Sequence, residues 1–201
     1  MNNTGDTNIR SEASYYDEIC VNIQDNLAHA LASIGDYEVR FQKCGTKDMF
    51  WGLRRILKSL SHLDYEFSMR EQMTQDLFVD IVGFVCKEKE PKANTLVICE
   101  VKLNTLTLND YAQLLGYCVT ANAEHGLLIA VDHGITSRFE SNLRHNEGLK
   151  CIERLNLTHG FGILKWKSHS KEVQFNEVGY YRSWHILARA LAHSIDKKHP
   201  S

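Results

Sequence analysis

Proline is nearly missing from this chain of 201 residues, with only two, and no apolar run approaches the ~20 residues that a membrane-spanning helix needs. The first absence excludes collagen-like and proline-rich disordered chains, and the second excludes a spanning helix. The opening residues 1–10 are too polar for a signal peptide, so the expected compartment is the cytoplasm, with no membrane partner. No C-x-x-C pair occurs among Cys20, Cys44, Cys86, Cys99, Cys118 and Cys151, so a zinc ribbon or clustered iron–sulfur centre has no ligand framework. Buried free thiols are the expectation instead. The ten histidines show no H-x-x-x-H or H-E-x-x-H spacing, which leaves a zinc hydrolase without an anchor. Walker A, G-x-G-x-x-G and G-x-S-x-G patterns are also missing, so the chain encodes no ATP-driven motor, dinucleotide fold or serine hydrolase.

An excess of one charge is missing too, since the formal net charge is −2, but the total hides an asymmetry. Residues 1–133 hold 12 Lys and Arg against 19 Asp and Glu, and residues 134–201 hold 11 against 6. Such a split places a basic segment beside an acidic one and suits a polyanionic partner, although solvated helix faces would give the same counts. Hydrophobic residues at 43% and charged residues at 24% are those of an ordinary globular chain, read as a single domain over 1–201 with a flexible lead-in at 1–10.

Ile19, Ile23, Leu27, Leu31 and Ile34 recur at three- and four-residue spacing and predict a helix over 11–34, stopped by Gly35. Residues 37–43 alternate and look extended, and 48–62 form a second amphipathic helix with Arg54, Arg55 and Lys58 outward. Strands are predicted over 65–73, 77–86 and 96–103, with a polar turn at 87–94. A T-x-x-D capping pattern opens a buried helix over 107–122, and a short strand follows at 126–131. Strand, strand, strand, helix, strand is a mixed α/β core in which the helix crosses over into a parallel pair. Beyond it come a polar helix near 137–155, a hairpin of 160–167 with 172–178, and a last helix over 180–195.

Inside the apolar run LFVDIVGFV sits one charge, Asp80, and inside LVICEVKL sit two, Glu100 and Lys102. Ionised groups there cost several kcal/mol each unless they are paired, hydrogen-bonded or bound to metal. Strand periodicity puts Glu100 and Lys102 on one face. With Asp80 beside them, two carboxylates about 4 Å apart repel by roughly 4 kcal/mol at an effective dielectric of 20, and a divalent cation turns that repulsion into a site. Two carboxylates with water completing the shell suit Mg²⁺, with Mn²⁺ as a substitute, and Lys102 would steady the charge that develops when phosphate is attacked. The E-x-K triplet alone carries nothing, because Glu90-Pro91-Lys92 is another one lying in a polar turn. A buried ion pair of Lys102 with Asp80 or Glu100 is the structural alternative.

This order of elements, with Asp80 and Glu100-Val101-Lys102 in place, resembles the PD-(D/E)XK nuclease superfamily over roughly residues 65–132, although Val79 stands where the superfamily's name has proline. Gln113 and Tyr117 resemble the Q-x-x-x-Y pattern of RecB-like nucleases and of type I restriction motor subunits. The resemblance implies a restriction-endonuclease-like mixed sheet flanked by helices, with an N-terminal helical segment and a C-terminal hairpin plus helix. It implies Mg²⁺-dependent hydrolysis of DNA, with Asp80 and Glu100 on the metal, Lys102 and Gln113 at the reaction, and Gln113 and Tyr117 towards DNA. A further acid from the first helix or strand is expected among Glu18, Glu66 and Glu71, with Glu71 favoured as a metal ligand. Arg138, Arg144, Lys165 and Lys167 are expected to touch phosphates. The partners implied are DNA, a second copy of the chain where both strands are cut, and a separate motor or restriction/repair subunit. The alternative is a nuclease-like fold that binds DNA or organises an assembly without turnover.

Overall fold

The computed structural model describes residues 11–60, 74–154 and 157–198. The elements are α1 (Tyr16–Leu31), β1 (Tyr37–Lys43), α2 (Met49–Ser59), β2 (Ile81–Lys87), β3 (Glu90–Lys102), α3 (Leu108–Thr120), β4 (His125–Val131), α4 (Ser137–His145), β5 (Cys151–Arg154), β6 (Leu157–Lys167), β7 (Glu172–Phe175) and α5 (Trp184–Lys198). Short 3-10 turns occupy Glu12–Ser14 and Glu147–Leu149.

The strands form one mixed sheet of seven in the order β1-β2-β3-β4-β6-β5, with β7 on the same outer edge of β6 as β5. β1, β2 and β3 are an antiparallel meander, whereas β3, β4 and β6 run parallel. A parallel neighbour requires a crossover, and α3 supplies it between β3 and β4. Thr107 starts that helix by accepting from the Asp110 amide while Asp110 accepts from the Thr107 amide, the reciprocal cap foreseen in T-x-x-D.

Side-chain alternation sorts the core into two layers. On one face, Ile19, Ile23, Leu27 and Leu31 of α1 and Leu187, Leu191 and Ile195 of α5 cover Val85, Val97, Val101, Ile129 and Trp166. On the other, Leu53 and Ile56 of α2, Leu114 and Cys118 of α3, and Phe139 and Leu143 of α4 cover Val82, Phe84, Ile98, Leu128 and Ile163. The protein is therefore α/β, a mixed sheet flanked by helices, with a helix at its start and a hairpin plus helix at its end. Among the described residues no helix is long and apolar enough to cross a membrane.

Several boundaries differ from the sequence reading. The partner of β2 is 37–43, so the meander begins before α2, and the strand placed at 65–73 lies outside the described residues, as does the lead-in at 1–10. β2 starts at Ile81 rather than at 77, and β3 starts at Glu90, which shortens the turn at 87–94. The polar helix near 137–155 ends at His145, where Asn146 turns extended (φ −134°, ψ 90°) and the chain goes on to β5. α3 is buried on one side only, through Tyr111, Leu114 and Cys118. The cysteines are free, with all but Cys151 buried, and burial pushes the Cys20, Cys44 and Cys86 thiols up to about 12, so they are inert at neutral pH.

α2 packs against β2 at residue 52, where only glycine leaves room. A methyl group there would stand 2.6 Å from Cys44 Sγ and 2.8 Å from a Val82 methyl. The same end of α2 is tied down by the Met49 amide donating to the Leu77 carbonyl at 2.7 Å. This helix therefore sits beside the stretch that leads into Asp80.

Candidate active site

Asp80 stands one residue before β2. The register pairs Ile81 with Cys99, so one step further brings Asp80 opposite Glu100 on the adjoining strand. Alternation with Ile98 sends Glu100 and Lys102 to the sheet face covered by α2, α3 and α4, while Asp80, just outside β2, is met from the α1 side by Tyr16. The sequence-predicted trio is thus brought together at the C-terminal end of β3, where the parallel strands open.

Each carboxylate is held in a different way. Asp80 Oδ2 accepts the Val101 amide at 2.7 Å, and Asp80 Oδ1 accepts the Tyr16 hydroxyl at 2.5 Å. Its carbonyl accepts the Cys44 amide at 2.8 Å, so the residue is fixed by three chain segments. Glu100 is only 3% exposed, and its Oε1 accepts Lys102 Nζ at 2.7 Å. Glu100 Oε2 is buried with no hydrogen-bond partner, one of only two such side-chain atoms among the described residues.

Burial, and then the neighbouring Asp80 charge, raise Glu100 from 4.5 to about 7 against the opposing pull of Lys102. For Lys102, burial works towards a lower value, but Glu100, Asp80 and Glu12 together raise it and keep the ammonium charged. One ammonium therefore faces an excess of negative charge that it does not balance. A carboxylate at about 7 beside a cationic lysine is short of a further positive partner.

A divalent cation fits these residues. The orphaned Glu100 Oε2 is an acceptor in need of a ligand, and each Asp80 oxygen keeps a lone pair beyond the bond it already accepts. Among the described residues no three His, Cys, Asp or Glu side chains converge on one point, so the described residues offer two carboxylates here. That set suits Mg²⁺, which keeps several waters and shares its shell with phosphate.

The remaining candidates are dispersed. Glu18 pairs with Lys171 at 2.8 Å on the α1 side of the sheet, which removes it from the site, and Glu66 and Glu71 lie outside the described residues. Gln113 donates to the Tyr117 hydroxyl at 2.9 Å on the outer side of α3, so the i,i+4 pair exists, although neither side chain bonds to the trio. Lys165 shares a lateral row with Lys102 through Ala130, on the same sheet face and two strand spacings, about 10 Å, away. Arg144 meets Lys165 in a cavity of about 320 Å³ that Glu177 also lines, but its guanidinium is engaged with Glu140 at 2.6 Å. Arg138 is exposed on the first turn of α4. Lys167, two residues beyond Lys165 in β6, lines a separate hollow with Asn22 and Asn26, so the four basic residues do not line one cavity.

A second buried polar cluster lies at the far end of the parallel strands, five residues and about 16 Å from the Lys102 row. His125 there holds the Tyr181 hydroxyl at 2.6 Å and the Ser194 hydroxyl at 3.1 Å, so both ring nitrogens are satisfied.

Two residues beside the trio escaped the sequence reading. Glu12 Oε1 accepts the Leu103 amide at 3.3 Å, and Tyr16, one helical turn later, reaches Asp80. Their spacing on one helical face was the available signal, but nothing in it says which strand end that face meets. Burial, and then the bond to Asp80, raise the Tyr16 hydroxyl, so it stays a donor at any ordinary pH. Hydrogen bonds to charged groups contribute about 1.5–3 kcal/mol, so Tyr16→Phe should lower stability by about 1–2 kcal/mol, since Asp80 keeps its Val101 bond. Urea unfolding measures this, and an unchanged midpoint would mean that the contact contributes nothing.

Compared with known protein families, with curated proteins and with solved structures, the chain finds no match in any of the three.

Proposed function

We propose that this protein hydrolyses phosphodiester bonds in DNA with a divalent cation, Mg²⁺ or Mn²⁺, held by Asp80 and Glu100. The observation that carries this reading is the buried, unpartnered Glu100 Oε2 beside Asp80, with one ammonium facing them at an open strand end. The order of helix, antiparallel meander, crossover helix and parallel strand around those residues supports the resemblance to PD-(D/E)XK nucleases.

The cation, when bound, lowers the pKa of attacking water and neutralises phosphate charge. Asp80 is pre-oriented for its part, because Val101 N–H and Tyr16 O–H fix both of its oxygens before any ligand arrives. Glu100 presents Oε2 while its Oε1 aims Lys102 Nζ along the same face. Lys102, 21% exposed, holds an ammonium at the boundary of the core, where it stabilises negative charge developing on phosphate. Gln113, exposed on α3 and already bonded to Tyr117, would serve by contact with nucleic acid rather than with the carboxylates.

Linear, circular and single-stranded DNA incubated with the pure protein, in Mg²⁺, Mn²⁺ or EDTA, test the reading. Cleavage in either cation and none in EDTA is expected. Binding without cleavage under all conditions would replace it with the reading of a nuclease-like fold that binds without turnover.

A further inference from the structure

The solvent face of α2 is a separate feature that the trio does not explain. Its eleven residues, Met49–Ser59, contain Arg54, Arg55 and Lys58 and no acid. All three cations are exposed. Asp48, at the start of the helix, is occupied in accepting the Trp51 amide at 2.8 Å. No carboxylate pairs with the two arginines among the described residues. Their guanidinium groups lie instead over aromatic rings of the same helix, Arg55 at 5.1 Å from the Trp51 ring centre and Arg54 at 6.0 Å from that of Phe50. A guanidinium resting on a ring keeps its N–H edge free for a bidentate phosphate contact, and the ring limits the side-chain motion that such a contact would have to freeze.

Position matters as much as charge. Leu53 and Ile56 seat α2 on the sheet face that carries Glu100 and Lys102, and Asp80 stands at the edge beside them. Gly52 brings the helix close onto Val82, two residues from Asp80, and the Met49 amide ties its start to Leu77. A polyanion with one phosphate at Lys102 would thus have a second cationic surface on the same side of the sheet.

We propose that the exposed face of α2, through Arg54, Arg55 and Lys58, grips the sugar-phosphate backbone of nucleic acid and leads the strand to the Asp80 and Glu100 site. This deepens the hydrolytic reading by naming the surface that holds the substrate, and it rests on that reading only for the direction of the strand. The occupant is nucleic acid rather than an anionic membrane, because the helix presents polar cations above rings that are themselves half-buried, and its large apolar residues Met49, Leu53 and Ile56 are spent in the core.

The test is anisotropy of a fluorescent DNA duplex in EDTA, where no cleavage can occur, with the full chain. Arg54→Gln, Arg55→Gln and Lys58→Gln combined keep helix propensity and touch no core atom. A matched control neutralises Lys171, Arg189 and Lys197, exposed cations on the opposite layer. The α2 variant should weaken binding about tenfold or more and reduce the slope of log affinity against log salt by roughly two to three, with the control close to wild type. Equal weakening in both variants, no weakening in the α2 variant, or wild-type binding to phosphatidylserine vesicles but not to DNA would each overturn the proposal. DNA binding that depends on α2 in a protein that never cleaves would leave this surface standing and sink the hydrolytic reading. Cleavage unaffected by the α2 changes would do the reverse.

Discussion

Lys102→Ala is expected to reduce cation-dependent cleavage by a factor of about 10²–10³ or more while leaving the protein folded. The ammonium is the one positive side chain held against the carboxylates, at 2.7 Å from Glu100, and no other cation among the described residues pairs with Asp80 or Glu100. Stripping a buried carboxylate of its partner ordinarily costs about 3–5 kcal/mol. Here the cost should be well below that, because Glu100 lies at about 7 even with Lys102 present and can take up a proton once the ammonium is gone. Asp80→Asn should abolish cleavage by a different route, through lost cation affinity. Thermal unfolding beside the cleavage assay separates the cases. A collapse of stability in Lys102→Ala, with no cation response in the wild type, would assign the trio to a structural ion pair.

Glu100→Gln should abolish a loss of stability with rising pH that Glu100 imposes on the wild type. A carboxyl raised from 4.5 to about 7 on folding contributes stability that is fully present below the lower value and lost as pH climbs through the higher one. The wild type should therefore lose stability between about pH 4.5 and 7 through this residue, and the amide should not. Each pKa unit of difference corresponds to about 1.4 kcal/mol, so Glu100→Gln should exceed the wild type by on the order of 3 kcal/mol near pH 8 in EDTA and match it at about pH 4 and below. Millimolar Mg²⁺ should restore the wild type at the higher pH and do nothing for the variant, since ligand bound to the native state adds stability by mass action. Cleavage should rise with pH up to about 7 for the same reason, as Glu100 ionises. Denaturant melts across that range decide the matter, and a wild type whose stability is flat from pH 5 to 8 would show that Glu100 is not perturbed.

The sheet-forming charges were the most legible part of the sequence. Asp80, Glu100 and Lys102 stood out because each interrupts an apolar run; alternation puts Glu100 and Lys102 on one face, and the register of β2 on β3 brings Asp80 opposite Glu100. Local signals were similarly direct for α1 and for the Thr107 cap of α3. Long-range pairing was not legible. The alternation in 37–43 marks a strand, but only the assembled sheet says that it pairs with β2 beyond the intervening α2. Glu12 and Tyr16 were hidden for the same reason, since the start of α1 and the turn before it reach the site through packing of α1 across the sheet. Charge totals do not describe a surface: Arg144 is engaged with Glu140, Lys167 and Lys165 line separate hollows, and the acidic part of the chain, residues 1–133, carries the cationic helix α2.

The central claim is that Asp80 and Glu100 form a cation site whose missing partner explains the buried, unsatisfied Glu100 Oε2. Calorimetric titration of Mn²⁺ into the full chain at about pH 8 tests it most directly. A single saturable site in the wild type, retained in Lys102→Ala and lost in both Asp80→Asn and Glu100→Gln, is the predicted result; no binding in the wild type, or binding indifferent to the two carboxylate changes, would contradict the account.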